Sequence, residues 1–137
     1  MEMTYEEIEN ENKVLLRGFE RDLTEKGLSD KTIDRHVFNA ELFLNTFLLY
    51  REELPVDEGA SNIDEFFYFF VHKCLWSTPN NVKTTAASLK KLFRFLMEQG
   101  RIEKAEYKEI AEEIKEGVPV WQESCRRYNE YTDSLIW

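Results

Sequence analysis

The sequence predicts an all-α protein: one domain, built as a bundle of four core helices with one or two further helices at the C-terminal end. Three observations carry that expectation. Apolar residues recur at three- and four-residue spacing through most of the chain. The chain has 137 residues but only 5 Gly and 3 Pro, while charged residues make up 33%, a composition poor in the turn-formers that hairpins need. No stretch alternates apolar and polar residues with the period of a half-buried strand. The length suits a single core. One domain is expected over 1–137, with the bundle over about 4–102 and an acidic and aromatic helical extension over 103–137.

The first helix is expected from Thr4. "TYEE" reads as a capping box, in which Thr4 accepts from the Glu7 amide and Glu7 reaches back. Ile8, Leu15, Leu16, Phe19 and Leu23 follow at helical spacing, and Gly27 ends the run as a left-handed cap residue. Gly18 inside it either weakens the helix or admits a close neighbour. Ser29 then caps a second helix, with Asp30 at its positive end. Ile33, Val37, Ala40, Leu44, Phe47 and Leu48 form one stripe, and Phe38, Leu42 and Leu49 another. A helix apolar on two sides belongs in the middle of a bundle. It is expected to reach about Arg51, before the long connection at residues 52–62.

Asn62 or Asp64 is the expected cap of a third helix, "IDEFFYFFVHKCLW", whose five aromatics at 66–70 read as core. Ser77 or Thr78 caps a fourth, with Pro79 in its first turn. Val82, Thr85, Ala86, Leu89, Leu92, Phe93 and Leu96 share about one third of its circumference, and Gly100 ends it. A fifth, acidic helix is expected to close at Gly117. Pro119 then starts a last one, on which Trp121, Cys125, Tyr128 and Leu135 keep the helical spacing.

Formal net charge is -9, which by itself disfavours nucleic acid, because phosphate contacts need Lys and Arg. The charge is unevenly spread. Residues 71–101 hold Lys73, Lys83, Lys90, Lys91, Arg94 and Arg101 against Glu98 alone, a net of +5, while every flanking stretch is acidic. On the fourth helix Lys83, Lys90 and Arg94 lie opposite the apolar face, within about 40° of one another at ~100° per residue. Lys91 lies beside them, Ala87 between them and Thr84 at the flank. Small residues among long cations leave room for a sugar-phosphate backbone. A solvated helix surface is the plainer reading of the same pattern.

Enzyme readings find less support. His36 and His72 neighbour no serine or cysteine at a catalytic spacing. Glu6/Glu7, Glu52/Glu53 and Glu112/Glu113 sit in solvated runs, and there is no glycine-rich phosphate loop. Cys74 and Cys125 fit no metal spacing and read as reduced, packed thiols. Neither a cofactor nor a metal ion is expected. The acidic start excludes a secretory signal, and no apolar run approaches the length of a membrane span. The expected setting is therefore cytoplasmic, with no membrane partner.

"GLSDKTIDRHVFNAELFLNTFL", "IDEFFYFF" and "STPNNVKTTAASLKKLFRFLMEQGRI" together resemble the N-terminal core-binding domain of tyrosine recombinases, the phage integrase family. That domain is a small SAM-like bundle. The shared features are Gly-Leu-Ser before Thr-Ile, an aromatic with spaced Leu and Phe, and a later basic helix ending in Gly-x-Ile. They cover about residues 19–102. In that family two bundles, one in each domain, clamp the duplex. The resemblance implies that Lys31, Thr32 and Arg35 on the second helix face DNA. On the fourth it implies Lys83, Thr84, Lys90, Lys91 and Arg94.

The sequence also departs from the family. His36 stands where the family often has Tyr, and an acidic helix replaces the usual Asn-Pro and linker after residue 102. The domain that supplies a Tyr nucleophile with Arg, His and Lys is absent, so Tyr128 and Tyr131 beside Arg126 and Arg127 read as surface or core residues. What the resemblance implies is a non-catalytic DNA-binding module of integration or recombination. Its partners would be double-stranded DNA and a full-length recombinase or another protein. The alternative is a protein-interaction or regulatory domain that kept the fold without DNA. The acidic flanks and the terminal "SLIW" support it, since Leu135, Ile136 and Trp137 can dock on the bundle or on a partner, with packing on the bundle the expected arrangement.

Overall fold

Every regular element is helical in the computed structural model, which describes residues 2–136. The first helix, α1 (Tyr5–Glu25), opens on the predicted capping box. The Glu7 amide donates to Thr4 Oγ1 at 3.1 Å, and the Thr4 amide to Glu7 Oε1 at 3.2 Å. Ile8, Leu15, Phe19 and Leu23 are buried. Gly27 turns the chain at φ 83°. Gly18 proves to be a point of close approach: the Phe95 ring stands 3.0 Å from where a Cβ would be.

Ser29 caps α2 (Asp30–Glu41), accepting from the Thr32 amide at 3.3 Å. The helix then passes without a break into a π-helical segment, Leu42–Leu49. There the backbone bonds reach five residues back, as from the Tyr50 amide to the Asn45 carbonyl at 2.7 Å. The wider turn brings nearly the whole segment inward, and only Thr46 is exposed. Asn12 of α1 reaches into it, donating to the Leu44 carbonyl at 3.2 Å and to Asn45 Oδ1 at 2.9 Å. The expected central position is thus right, but the regular helix is not. Phe38 corrects the second predicted stripe: it is 56% exposed, because the change of register comes after it and leaves it outside.

The long connection contains two short 3₁₀ turns, Val56–Glu58 and Ala60–Asn62, with Val56 buried. Neither expected residue caps α3 (Ile63–Lys73) with its side chain. Asn62 donates instead to the Glu58 carbonyl at 2.7 Å, and Asp64 accepts from Trp121. Phe66, Phe67, Phe69 and Phe70 are core, as expected of the aromatic run. Tyr68 is not: it is exposed and stacks on His72, one turn away, at 4.1 Å. Thr78 is the cap of α4 (Pro79–Glu98), accepting from the Asn81 amide at 3.0 Å. Every member of its predicted stripe is buried.

The largest departure is at the C-terminal end. The two expected helices are one, α5 (Lys104–Ile136), which passes through Gly117 and Pro119. An interior proline costs about 3 kcal/mol, so packing must outweigh it. Pro119 sits on the exposed side, where water can take the carbonyl it leaves without an amide. On the inner side the Trp121 ring lies over Gly117, where a Cβ would stand. It stacks on Phe67 at 4.1 Å and donates from Nε1 to Asp64 Oδ1 at 2.8 Å. Leu135, expected to pack on the bundle, is 66% exposed. The Ile136 side chain and Trp137 fall outside the described residues.

α4 packs between α2 and α5, α3 lies against α5, and α1 lies against α2. A connected core of Phe19, Phe43, Phe47, Phe66, Phe67 and Phe93 joins them. Both cysteines are free and buried, and burial pushes the Cys74 thiol up to about 11. Among the described residues no helix is long and apolar enough to cross a membrane.

Candidate nucleic-acid interface

The outward face of α4 carries Lys83, Ala87, Lys90, Lys91 and Arg94, all exposed. Among the described residues none of these cations forms an ion pair with a carboxylate. The acid on the helix is drawn away from them. Glu98 is held at 2.6 Å by Lys26, which also holds Asp22 at 3.0 Å. Arg101, part of the basic excess in the sequence, is neutralised by Glu11 at 2.9 Å and Asp57 at 3.1 Å. The positive field therefore belongs to the middle of α4.

Lys31 and Arg35 of α2 are likewise exposed and unpaired among the described residues. A buried polar joint sets them beside α4. His36 Nδ1 and Asn39 Nδ2 meet Ser88 Oγ at 2.7 Å and 3.0 Å, and Ser88 Oγ in turn reaches the Thr84 carbonyl at 3.2 Å. A hydroxyl has one proton to give and two lone pairs to receive. All three contacts are satisfied together only if Ser88 donates to Thr84 and His36 carries its proton on Nδ1. That fixes the face of α2 that meets α4, with Arg35 next to the joint.

Burial lowers the His36 pKa below its ordinary value of 6.5, and the nearby charges of Lys91 and Arg35 add to the effect. A group whose pKa is depressed by folding binds fewer protons folded than unfolded. Its contribution is complete above the ordinary value and is lost as pH falls from there through the folded value. Denaturant unfolding at about pH 5 to 7 should therefore show stability falling with acid in the native chain. His36→Asn, which can still donate to Ser88, should flatten the decline. Parallel curves for the two proteins would rule His36 out as its source.

The two threonines behave differently from the cations. Thr32 is half-buried, and its Oγ1 accepts from Ser29 at 2.9 Å at the start of α2. Thr84 is half-buried and already donates to the Asn80 carbonyl at 3.0 Å. It lines the seam between α2 and α4, and its proton is committed inside its own helix.

Further cations lie on α5. At about 100° per residue, Lys104, Lys115, Gln122 and Asn129 share one edge of α5, with Lys108 beside it. That edge faces the start of α4, since Gln122 Nε2 donates to the Pro79 carbonyl at 2.9 Å and Asn129 Nδ2 to the Ser77 carbonyl at 3.0 Å. Part of the acid of α5 lies on its other sides. Glu113 lies near Asp64 and Glu65 of α3, and burial and those two charges raise its pKa. Arg126 and Arg127 are both taken up by Glu123. The lysine spacing was a usable signal, hidden because that stretch is acidic overall.

Basic side chains from α2, α4 and α5 thus border one surface, with Asp34 beside Lys31, and Glu112 and Asp133 by the α5 edge, as carboxylates at its margins. Such a surface attracts a polyanion even when the whole molecule is negative, because the local field governs docking. Compared with protein-family models, with curated proteins and with solved structures, the chain matches none.

Proposed function

We propose that this chain is a non-catalytic DNA-binding module. It grips double-stranded DNA by its phosphates across the α2–α4–α5 face, in DNA integration or recombination of the kind the integrase resemblance implies. It acts there alone or beside a full-length recombinase. A cytoplasmic setting goes with this reading. The observation that carries it is that Lys83, Lys90, Lys91 and Arg94 stand exposed and without ion pairs among the described residues of a chain with net charge -9.

Each neutralised phosphate releases counterions, so the logarithm of affinity should fall linearly with the logarithm of salt. Lys90→Glu with Arg94→Glu should weaken binding to a blunt duplex and reduce the magnitude of that slope by about two. Lys13→Glu with Arg17→Glu on α1 changes net charge equally and serves as the control. Equal losses in both double variants would mean that total charge, not this face, governs binding.

A second reading has an observation of its own. Val120, Tyr131 and Leu135 lie along one side of α5 and are exposed at 63%, 62% and 66%, as a protein-interaction surface would be. Absence of duplex binding even at low salt would favour it.

A further inference from the structure

At one end of the basic face the charge gives way to aromatic surface. Trp76, in the connection between α3 and α4, is 50% exposed, and Phe38 of α2 is 56% exposed. Their ring centroids are 6.5 Å apart at 61°. Phe70 also meets Trp76 edge-on, at 88°. Neither exposed ring forms a parallel stack with another among the described residues. Arg35, Asn81 and Thr84 line the same groove, whose volume is about 180 Å³. That is below the about 300–1,000 Å³ of a drug-sized site, but it has room for a single planar ring.

The connection is held in place rather than loose. Asn81 Nδ2 donates to the Trp76 carbonyl at 2.9 Å, and Ser77 Oγ to the Val71 carbonyl at 3.2 Å. Asn129 of α5 holds the Ser77 carbonyl at 3.0 Å. An exposed indole on a fixed backbone, in one groove with Arg35, which forms no ion pair among the described residues, combines a stacking surface with phosphate-binding charge. Proteins that hold unpaired nucleotides use that combination, because every base has a π-face.

We propose that Trp76 and Phe38 form a stacking platform for an unpaired base at the end of the cationic face, so that the chain prefers duplex DNA carrying a single-stranded extension. This rests on the nucleic-acid reading above. The test is a fluorescence-anisotropy titration with two labelled probes of equal duplex length, one blunt and one with a short thymidine overhang. The native chain should prefer the overhang by about 5- to 150-fold, the range that stacking one base gives. Trp76→Ala should abolish the preference and leave blunt-duplex affinity unchanged, and Trp76→Phe should restore part of it. Circular dichroism on each variant checks the fold, which an exposed position leaves intact.

Equal affinity for the two probes, or a preference that survives Trp76→Ala, overturns the platform while leaving duplex binding intact. Loss of self-association in Trp76→Ala, with no change on either probe, also overturns it, in favour of a protein partner. No binding of either probe at low salt overturns the platform and the DNA reading together.

Discussion

Phe66→Ala should remove a large share of the folding stability, more than almost any other single substitution in this chain. Phe66 is fully buried, and its ring meets Phe43 and Phe67 at 5.1 Å and Phe47 at 5.5 Å. It is where α3 closes against the π-helical end of α2. Truncating a buried Phe costs about 3–5 kcal/mol, because the cavity adds to the lost transfer energy. The whole margin of a domain this size is about 5–15 kcal/mol. Urea unfolding followed by circular dichroism should show the midpoint collapse. Phe66→Leu should recover much of the loss by refilling the space. Near-native stability for the alanine variant would mean that the aromatic cluster does not hold the bundle together.

Trp121→Ala should cost a similar amount, about 3–5 kcal/mol, and its companion at position 117 sharpens the test. Trp121 joins α5 to α3 through its stack on Phe67 and its bond to Asp64. A Cβ at Gly117 would run into the indole, which that stack and that bond prevent from moving aside. Gly117→Ala should therefore destabilise the native chain by about 1–3 kcal/mol of overpacking, less a helix-propensity gain of about 1 kcal/mol. In the Trp121→Ala background the obstruction is gone and only the gain remains, so the same substitution should become stabilising. A reversal of sign in this double-mutant cycle is a coupling that additive sites cannot give. The same effect of Gly117→Ala in both backgrounds would separate the two residues.

Much of this architecture was legible in the sequence where local chemistry decides it. The capping box at Thr4 and Glu7, the caps at Ser29 and Thr78, and the left-handed turns at Gly27 and Gly100 depend on residues a few positions apart. So does the burial of the α4 stripe. What could not be read depends on partners distant in the chain. Gly117 and Pro119 are breakers by propensity, and packing of α5 on α4 and on residues about fifty positions away, Phe67 and Asp64 among them, keeps the helix continuous. The π-helical turn at Leu42–Leu49 has no spacing signature of its own, and the buried Asn12 that reaches it lies in another helix.

The candidate site divides in the same way. The cations of α4 follow from helical spacing, and those of α2 from the integrase resemblance. The lysines of α5 were masked by their acidic neighbours. Phe38 shares the predicted stripe of Leu42 and Leu49, and apolar spacing cannot show where a helix changes pitch. Trp76 gave no periodic signal, because it lies between helices. The Ser88 joint brings together residues about fifty positions apart, none of which stands out alone.

That joint bears on speed as well as position. His36 and Asn39 both bond to one hydroxyl of α4, so the joint holds Arg35 of α2 close to Lys91 of α4. The proposed docking of DNA would then have to immobilise only the outer side-chain rotors, not rearrange backbone. Association should be limited by diffusional encounter and accelerate steeply as ionic strength drops, with no slow conformational phase in stopped-flow traces.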